Sequence, residues 1–408
     1  MATDAPRKSK RTNLRRPDIM EKVKAQVLSH YQSDMVDRLR SKGEVSCPES
    51  QLTIRLAKEF GFCYGVERCI DLAYAALKVF PDKQLYILGE IIHNPEVNDQ
   101  IRDMGIQFLS GPNQSAEIED LGADDIVIIP AFGTEVSIRN KLESKGCQFI
   151  DTTCGDVMSV WKRVRNYANQ GVTSIIHGKA SHEETMATSS QAISRNGHYI
   201  VVNNFEETDI ICNYIKKGGN KTTLLEQFQG CYSEGFDPDL HLQAVGVANQ
   251  TTMMRGETEE VQRRIRSAIE KRYGVDNVDS HFRFFDTICG ATQDRQDALN
   301  EMLSQPMDLL LVIGGYNSSN TSHLAEIGER MLPTYFIKNA GKIVGAERIL
   351  HWNQHSHQVE ETRNWLPEGN ITIGITAGAS CPNNLIEEVI IRLFDIRGSS
   401  KKQLLHIN

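Results

Sequence analysis

Three times in this chain a short apolar strand runs into a cysteine that opens an amphipathic helix. The first is EFGFCYGVERCIDLAYAAL, carrying Cys63. DTTCGDVMSVWKRV with Cys154 and DTICGATQDRQDAL with Cys289 repeat it, the pentapeptides TTCGD and TICGA being nearly the same. Val66, Ile70, Ala73 and Leu77 recur at helical spacing, so the first helix opens near Tyr64. LTIRLAKEF before it alternates as a strand does. A cysteine at a helix N-terminus is expected to ionise readily, and the thiolate is the form that binds metal or attacks. One such cysteine alone is more often a small buried apolar residue. Three in matched settings argue for shared chemistry, and Cys47, Cys69, Cys147, Cys212, Cys231 and Cys381 lack that setting.

The likeness continues downstream. A strand and a polar loop follow each cysteine at nearly the same interval: LYILGE with His93, TSIIHG with His182, LLLVIGG with Ser319. A further strand then ends in a small or hydroxyl-bearing loop in DIVIIPAFGTEV, LQAVGVANQTTM and ITIGITAGASCP. Such a divergent threefold repeat of βα units predicts an α/β fold with three lobes of parallel sheet around a pseudo-threefold axis. The expected lobes are 52–153 with Cys63, 154–280 with Cys154 and 281–395 with Cys289. A partly flexible N-terminal extension, 1–51, and a tail, 396–408, flank them. Residues 213–240, with the turn signals KKGGNK and SEGFDPD, read as a surface insertion in the second lobe. Ligands of open α/β sheets bind beyond the carboxyl ends of the strands, where all these loops lie. The three cysteines are therefore expected to converge on one point.

The bulk numbers narrow the chemistry. A net charge of −8 over 408 residues argues against broad nucleic-acid or anionic-membrane binding. No apolar run approaches the roughly 20 residues of a membrane span. The basic start MATDAPRKSKRTNLRRPD lacks the apolar stretch of a secretory signal and reads as a solvated arm. Nine cysteines without a disulfide framework favour reduced thiols in metal or catalytic roles. A structural zinc site would need a fourth ligand and close cysteine pairs, and neither is present. A 4Fe–4S cluster on three cysteines leaves one iron open, suited to removing a hydroxyl group. Helix starts at Thr251 and Thr252, at Ser318, Ser319 and Asn320, and at Ser380 favour an anion, typically phosphate, although each residue alone is often a plain helix cap. His93, His182, Glu183 and Glu184 stand in equivalent loops. Successive side chains of a helix diverge by about 100°, so only one of the two glutamates can face a substrate.

These motifs, together with EIIHNPEV, ASHEETMAT, GGYNSSNTSHLAEI and GITAGASCP, resemble those of the 4-hydroxy-3-methylbut-2-enyl diphosphate reductases over about Ile54 to Leu393. That family closes the methylerythritol phosphate route to isoprenoids. The resemblance implies a three-lobed α/β fold around a 4Fe–4S cluster with three ligands, Cys63, Cys154 and Cys289, and one open iron. It implies diphosphate binding by His93, His182, Thr252, Ser318, Ser319, Asn320 and Ser380. Glu184 matches the proton-delivering carboxylate and Thr251 the hydroxyl beside it, which leaves Glu183 without a role. The implied reaction is a two-electron reductive dehydroxylation giving isopentenyl and dimethylallyl diphosphate. The implied partners are the allylic diphosphate and a low-potential donor, ferredoxin or flavodoxin, in the cytoplasm or, for a plant or alga, the plastid stroma. One position departs from many bacterial members, which carry histidine where this chain has Phe132 in PAFGTEV. The extension and the PAFG loop resemble the longer cyanobacterial and plastid-type members. The alternative is a three-cysteine 4Fe–4S hydro-lyase, whose carboxylic acid substrate would call for arginines near the cluster.

Overall fold

The computed structural model describes residues 14–285 and 287–399, built on three sheets. In the first, Gln107–Phe108, Leu85–Ile87, Ile126–Ile129 and Gln148–Asp151 lie side by side, all parallel. The second orders Phe282–Phe284, Val245–Asn249, Thr173–His177 and Tyr199–Val202, again all parallel. The third sheet has a parallel centre of Leu52–Leu56, Ile371–Ala377, Leu309–Ile313 and Thr334–Ile337. Antiparallel strands extend it on both sides: Glu44–Cys47 on one, and the meander Ile343–Gly345, Arg348–Asn353, Gln358–Arg363 on the other. Central strands such as Leu309–Ile313 are buried along their whole length. That burial is why they read as continuous apolar runs rather than as alternating ones.

The sheets divide the chain differently from the expected lobes. Leu52–Leu56, which leads to Cys63, pairs with Ile371–Ala377 in the third sheet. Gln148–Asp151, before Cys154, closes the first sheet, and Phe282–Phe284, before Cys289, edges the second. The helices after the cysteines pack in the next lobe. Val66, Ile70 and Ala73 of Tyr64–Val79 share a core with Leu85, Ile87 and Ile126, and Ala298, Leu299 and Met302 of Gly290–Leu303 join the third core. Boundaries at 52 and 281 thus place two strands in the wrong lobe. A strand belongs where its hydrogen-bond ladder is completed, which sequence order does not reveal. Each cysteine marks the point where the chain leaves one sheet for the next, and all three crossings occur near the axis.

Two further expectations change. The segment 213–240 is no surface excursion: Leu224, Phe228 and Phe236 are buried in the second core, around a short helix, Lys221–Gln227. The described part of the extension, from Leu14, packs on the lobes, with Leu14 buried in the first core. Its helix Pro17–Tyr31 places Val23 and Tyr31 in the first core, while Asp34–Lys42 places Met35, Val36 and Leu39 in the third. It therefore joins two lobes, as an apolar helix stripe must when it finds two cores within reach. The start of the basic arm and the tail from residue 400 lie outside the described residues.

Candidate active site

The three cysteines line one cavity where the lobes meet. Each is the N-cap of its helix, and Cys63 Sγ accepts a hydrogen bond from the Val66 N–H at 3.5 Å. Gly65 makes the convergence sterically possible. A Cβ there would lie 2.7 Å from Cys154 Sγ and 3.8 Å from Cys63 Sγ, so any side chain would fill the space between two thiols. At Cys154 and Cys289 the expectation of readily ionised thiols is not met. Burial pushes Cys154 up and Cys289 up to about 12, with Asp156 adding to the rise at Cys289. Desolvation outweighs the helix dipole once the thiol leaves water. A bound cation would favour the thiolate form at both. All nine cysteines are free, so none of the three is tied up in a disulfide.

Beside the cysteines sits Glu184, in the first turn of Glu183–Ile193 and 3% exposed. Its carboxyl accepts the Thr251 N–H at 2.6 Å and the Thr251 hydroxyl at 3.0 Å. Burial lifts its pKa to about 7 against the pull of those two bonds. A group at that value exchanges a proton near neutral pH.

The same cavity is also lined by donors left over by the fold. His182 caps its helix by accepting the Glu184 N–H on Nδ1 at 3.1 Å. Burial lowers its pKa to about 3, so the ring is neutral and carries its proton on Nε2. That Nε2 is buried without a partner, as are Ser319 Oγ and Asn320 Nδ2. Asn320 is oriented by its Oδ1, which accepts the Ala379 N–H at 2.8 Å. Ser319 opens the helix Ser319–Glu329, whose free N–H groups and dipole favour an anion. Unpaired buried donors are rare in native structures and call for a partner. The remaining hydroxyls in this lining are partly engaged. Ser318 Oγ accepts the Thr321 hydroxyl at 2.9 Å, Ser380 donates to the His93 carbonyl at 3.0 Å, and Thr252 accepts Gln250 Nε2 at 2.8 Å.

His93 is held from two sides that sequence reasoning missed. Its Nε2 lies 3.2 Å from Glu183 Oε2, and its ring stacks on Phe132 with centroids 4.6 Å apart and planes at 11°. Burial works to raise the Glu183 pKa, but the His93 hydrogen bond and charge carry it down to about 2. Glu183 is thus a carboxylate that orients His93, and no sequence signal links residues so far apart in the chain. His93, His182 and Glu183 offer ligand atoms within 4.8 Å of one another, close enough for a metal ion, although one His93 nitrogen is already engaged by Glu183. Val66, Ile92, Ala131 and Val157 supply an apolar wall. None of the described residues lining the cavity is lysine or arginine, which counts against a carboxylic acid substrate. Every residue expected from the sequence to form the site lines this cavity.

A family model described as LytB protein matches residues 54–394. A 4-hydroxy-3-methylbut-2-enyl diphosphate reductase of Gloeobacter violaceus is 45% identical over 381 residues, covering 92% of this chain and 90% of its own. The enzyme of that name from Thermosynechococcus vestitus is 44% identical, with 92% of each chain covered. A solved structure of (E)-4-hydroxy-3-methyl-but-2-enyl diphosphate reductase, described as the terminal enzyme of the non-mevalonate pathway, superposes with a TM-score of 0.52 at 27% identity, covering 84% of this chain and 99% of that one. The reductase structure from Plasmodium falciparum, at 21% identity and a TM-score of 0.61, shares the fold, covering 86% of this chain and 96% of its own.

Proposed function

The chain belongs to the LytB protein family, and from that membership and its cavity we propose that it reduces 4-hydroxy-3-methylbut-2-enyl diphosphate to isopentenyl and dimethylallyl diphosphate. One observation carries this reading. A single cavity joins three convergent thiols, a buried carboxyl near neutrality and a wall of unpaired donors.

Cys63, Cys154 and Cys289 would hold the iron–sulfur group, and Gly65 keeps any side chain from crowding Cys154 Sγ. A 4Fe–4S cluster with one iron free of protein ligands would pass the donor's two electrons on one at a time and offer a Lewis-acid site. His182 Nε2, Ser319 Oγ, Asn320 Nδ2 and the helix N-terminus behind them bind the diphosphate, with Ser318, Ser380, Thr252 and His93 completing the wall. The apolar wall takes the five-carbon chain. Glu184 donates a proton to the departing hydroxyl, which leaves as water, and Thr251 holds the carboxyl in place for that transfer. Two electrons and two protons balance the reaction, the second proton ending on carbon. The donor is a low-potential carrier of the ferredoxin or flavodoxin type. A cytoplasmic or stromal setting, where thiols stay reduced, suits the free cysteines. No described helix is long and apolar enough to cross a membrane.

The test is anaerobic purification, iron and sulfide analysis, and incubation with the allylic diphosphate and reduced viologen. Both isoprenyl diphosphates are expected by mass spectrometry. A cluster-replete protein that forms neither would overturn the assignment.

A further inference from the structure

Behind the cysteines, outside the cavity, lies Arg295, only 3% exposed. Its Nη2 donates to the Gly61 carbonyl at 2.6 Å, and its Nη1 donates to the Ala291 carbonyl at 2.7 Å. Gly61 precedes Cys63 by two residues and Ala291 follows Cys289 by two. Ala291 lies in Arg295's own helix, Gly290–Leu303, which opens at Cys289, so the bond to Gly61 is the one that ties that helix to the loop of Cys63. Its Nε has no partner, and among the described residues no carboxylate lies within ion-pair distance of it. The groups whose charge bears on it are Cys63, Glu59 and Cys289, with Arg40 as a second cation, and Glu67 feels its charge in turn. Glu59 and Glu67 are exposed, and water screens both.

A buried charge without a compensating partner is not retained cheaply, and carbonyl dipoles satisfy only part of a guanidinium. Anionic sulfur at Cys63 and Cys289 would supply the missing counter-charge. We propose that Arg295 is the buried counter-charge of the three-cysteine site, and that it raises the reduction potential of the iron–sulfur group which those cysteines hold. The proposal rests on the iron–sulfur reading above. Net charge and hydrogen bonding around a cluster set its potential, and a fixed cation favours the reduced, more negative form. Arg295 does not line the cavity, so it is a positioning and charge-setting residue that leaves substrate contacts untouched.

The test is a redox titration of the anaerobically purified protein, read by visible absorbance and electron paramagnetic resonance. At the wild-type midpoint, Arg295→Gln should lower the reduced-to-oxidised ratio about tenfold, which is 59 mV for a one-electron couple. Arg295→Lys, which keeps the charge but loses the fork, should stay within about threefold of wild type on the same scale. Loss of iron and sulfide in Arg295→Gln with retention in Arg295→Lys would equally support a charge role. Equal midpoints in wild type and Arg295→Gln would overturn the proposal. Equal loss of iron and sulfide in both variants would also overturn it, leaving only a mechanical tie. Wild-type protein without iron or sulfide would instead bring down the iron–sulfur reading, before any variant is compared.

Discussion

In the cavity the Glu184 carboxyl holds both donors of Thr251, whereas the Nε2 of His182, the Oγ of Ser319 and the Nδ2 of Asn320 stand without partners. Both groups are buried, so the difference is not one of solvent. A paired carboxyl with a raised pKa is a proton kept in place for use. Unpaired donors are a cost that the folded protein carries until an anion arrives. The thiols belong with the second group, because burial holds two of them in the neutral form that needs a cation to ionise. On the proposed assignment the proton donor is pre-bonded, and three of the diphosphate-binding groups are left open.

The most severe break should come at the thiols. Cys63→Ser, Cys154→Ser and Cys289→Ser should each strip the protein of most of its iron and cost roughly 10³-fold or more in turnover, as removing a metal centre does. Cys381→Ser, buried outside the cavity, should keep both. Iron analysis beside steady-state rates checks this, and equal loss in all four variants would dissolve the distinction.

Breaking the paired carboxyl should cost less. Glu184→Gln keeps the shape and loses the proton, so turnover should fall by about 10²-fold with the cluster spectrum intact. The same variant has a stability signature. A carboxyl raised from 4.5 to about 7 in the folded protein keeps its proton there while the unfolded chain has lost it, so wild-type stability declines as pH rises from about 4.5 through 7. Glu184→Gln should therefore melt higher than wild type at pH 8 and show little or no such gain at pH 4. An equal melting difference at both pH values would mean that Glu184 is not held neutral.

Among the unpaired donors, Ser319→Ala and Asn320→Ala should each raise KM about tenfold, the value of one hydrogen bond to a charged group, with kcat changed less. Ser319→Ala should leave the melting temperature of the substrate-free protein unchanged or higher, since it removes an orphaned hydroxyl. A drop in stability instead would show the hydroxyl to be paired. The smallest effects belong to the supports of His93. Glu183→Gln should raise KM by up to about fivefold, the range of a partly exposed ion pair. Phe132→His, which keeps a flat ring for the stack, should change substrate affinity by less than about tenfold. A larger gain would reveal a phosphate contact that the native loop lacks.

The sequence by itself determined the repeat, the helix starts and the identity of the cavity residues, because period and capping are local properties of the chain. Cys63 before Val66 and Ile70, or Ser318 before Thr321, can be placed without knowing what lies across from them. It also carried the family resemblance that singled out Glu184 over Glu183. Only the tertiary structure decided what is long-range. Leu52–Leu56 joins the third sheet because Ile371–Ala377 completes its ladder. Phe228 and Phe236 are core because the second sheet offers them an apolar face. Glu183 matters because it meets His93 across a lobe boundary, and Phe132 matters because its ring lies flat on the same histidine. Ionisation was decided there too: a helix start predicts an acidic thiol only in water, and burial reversed that at Cys154 and Cys289. Burial, pairing and charge depend on what is brought near, and nearness across lobes is a property of the fold.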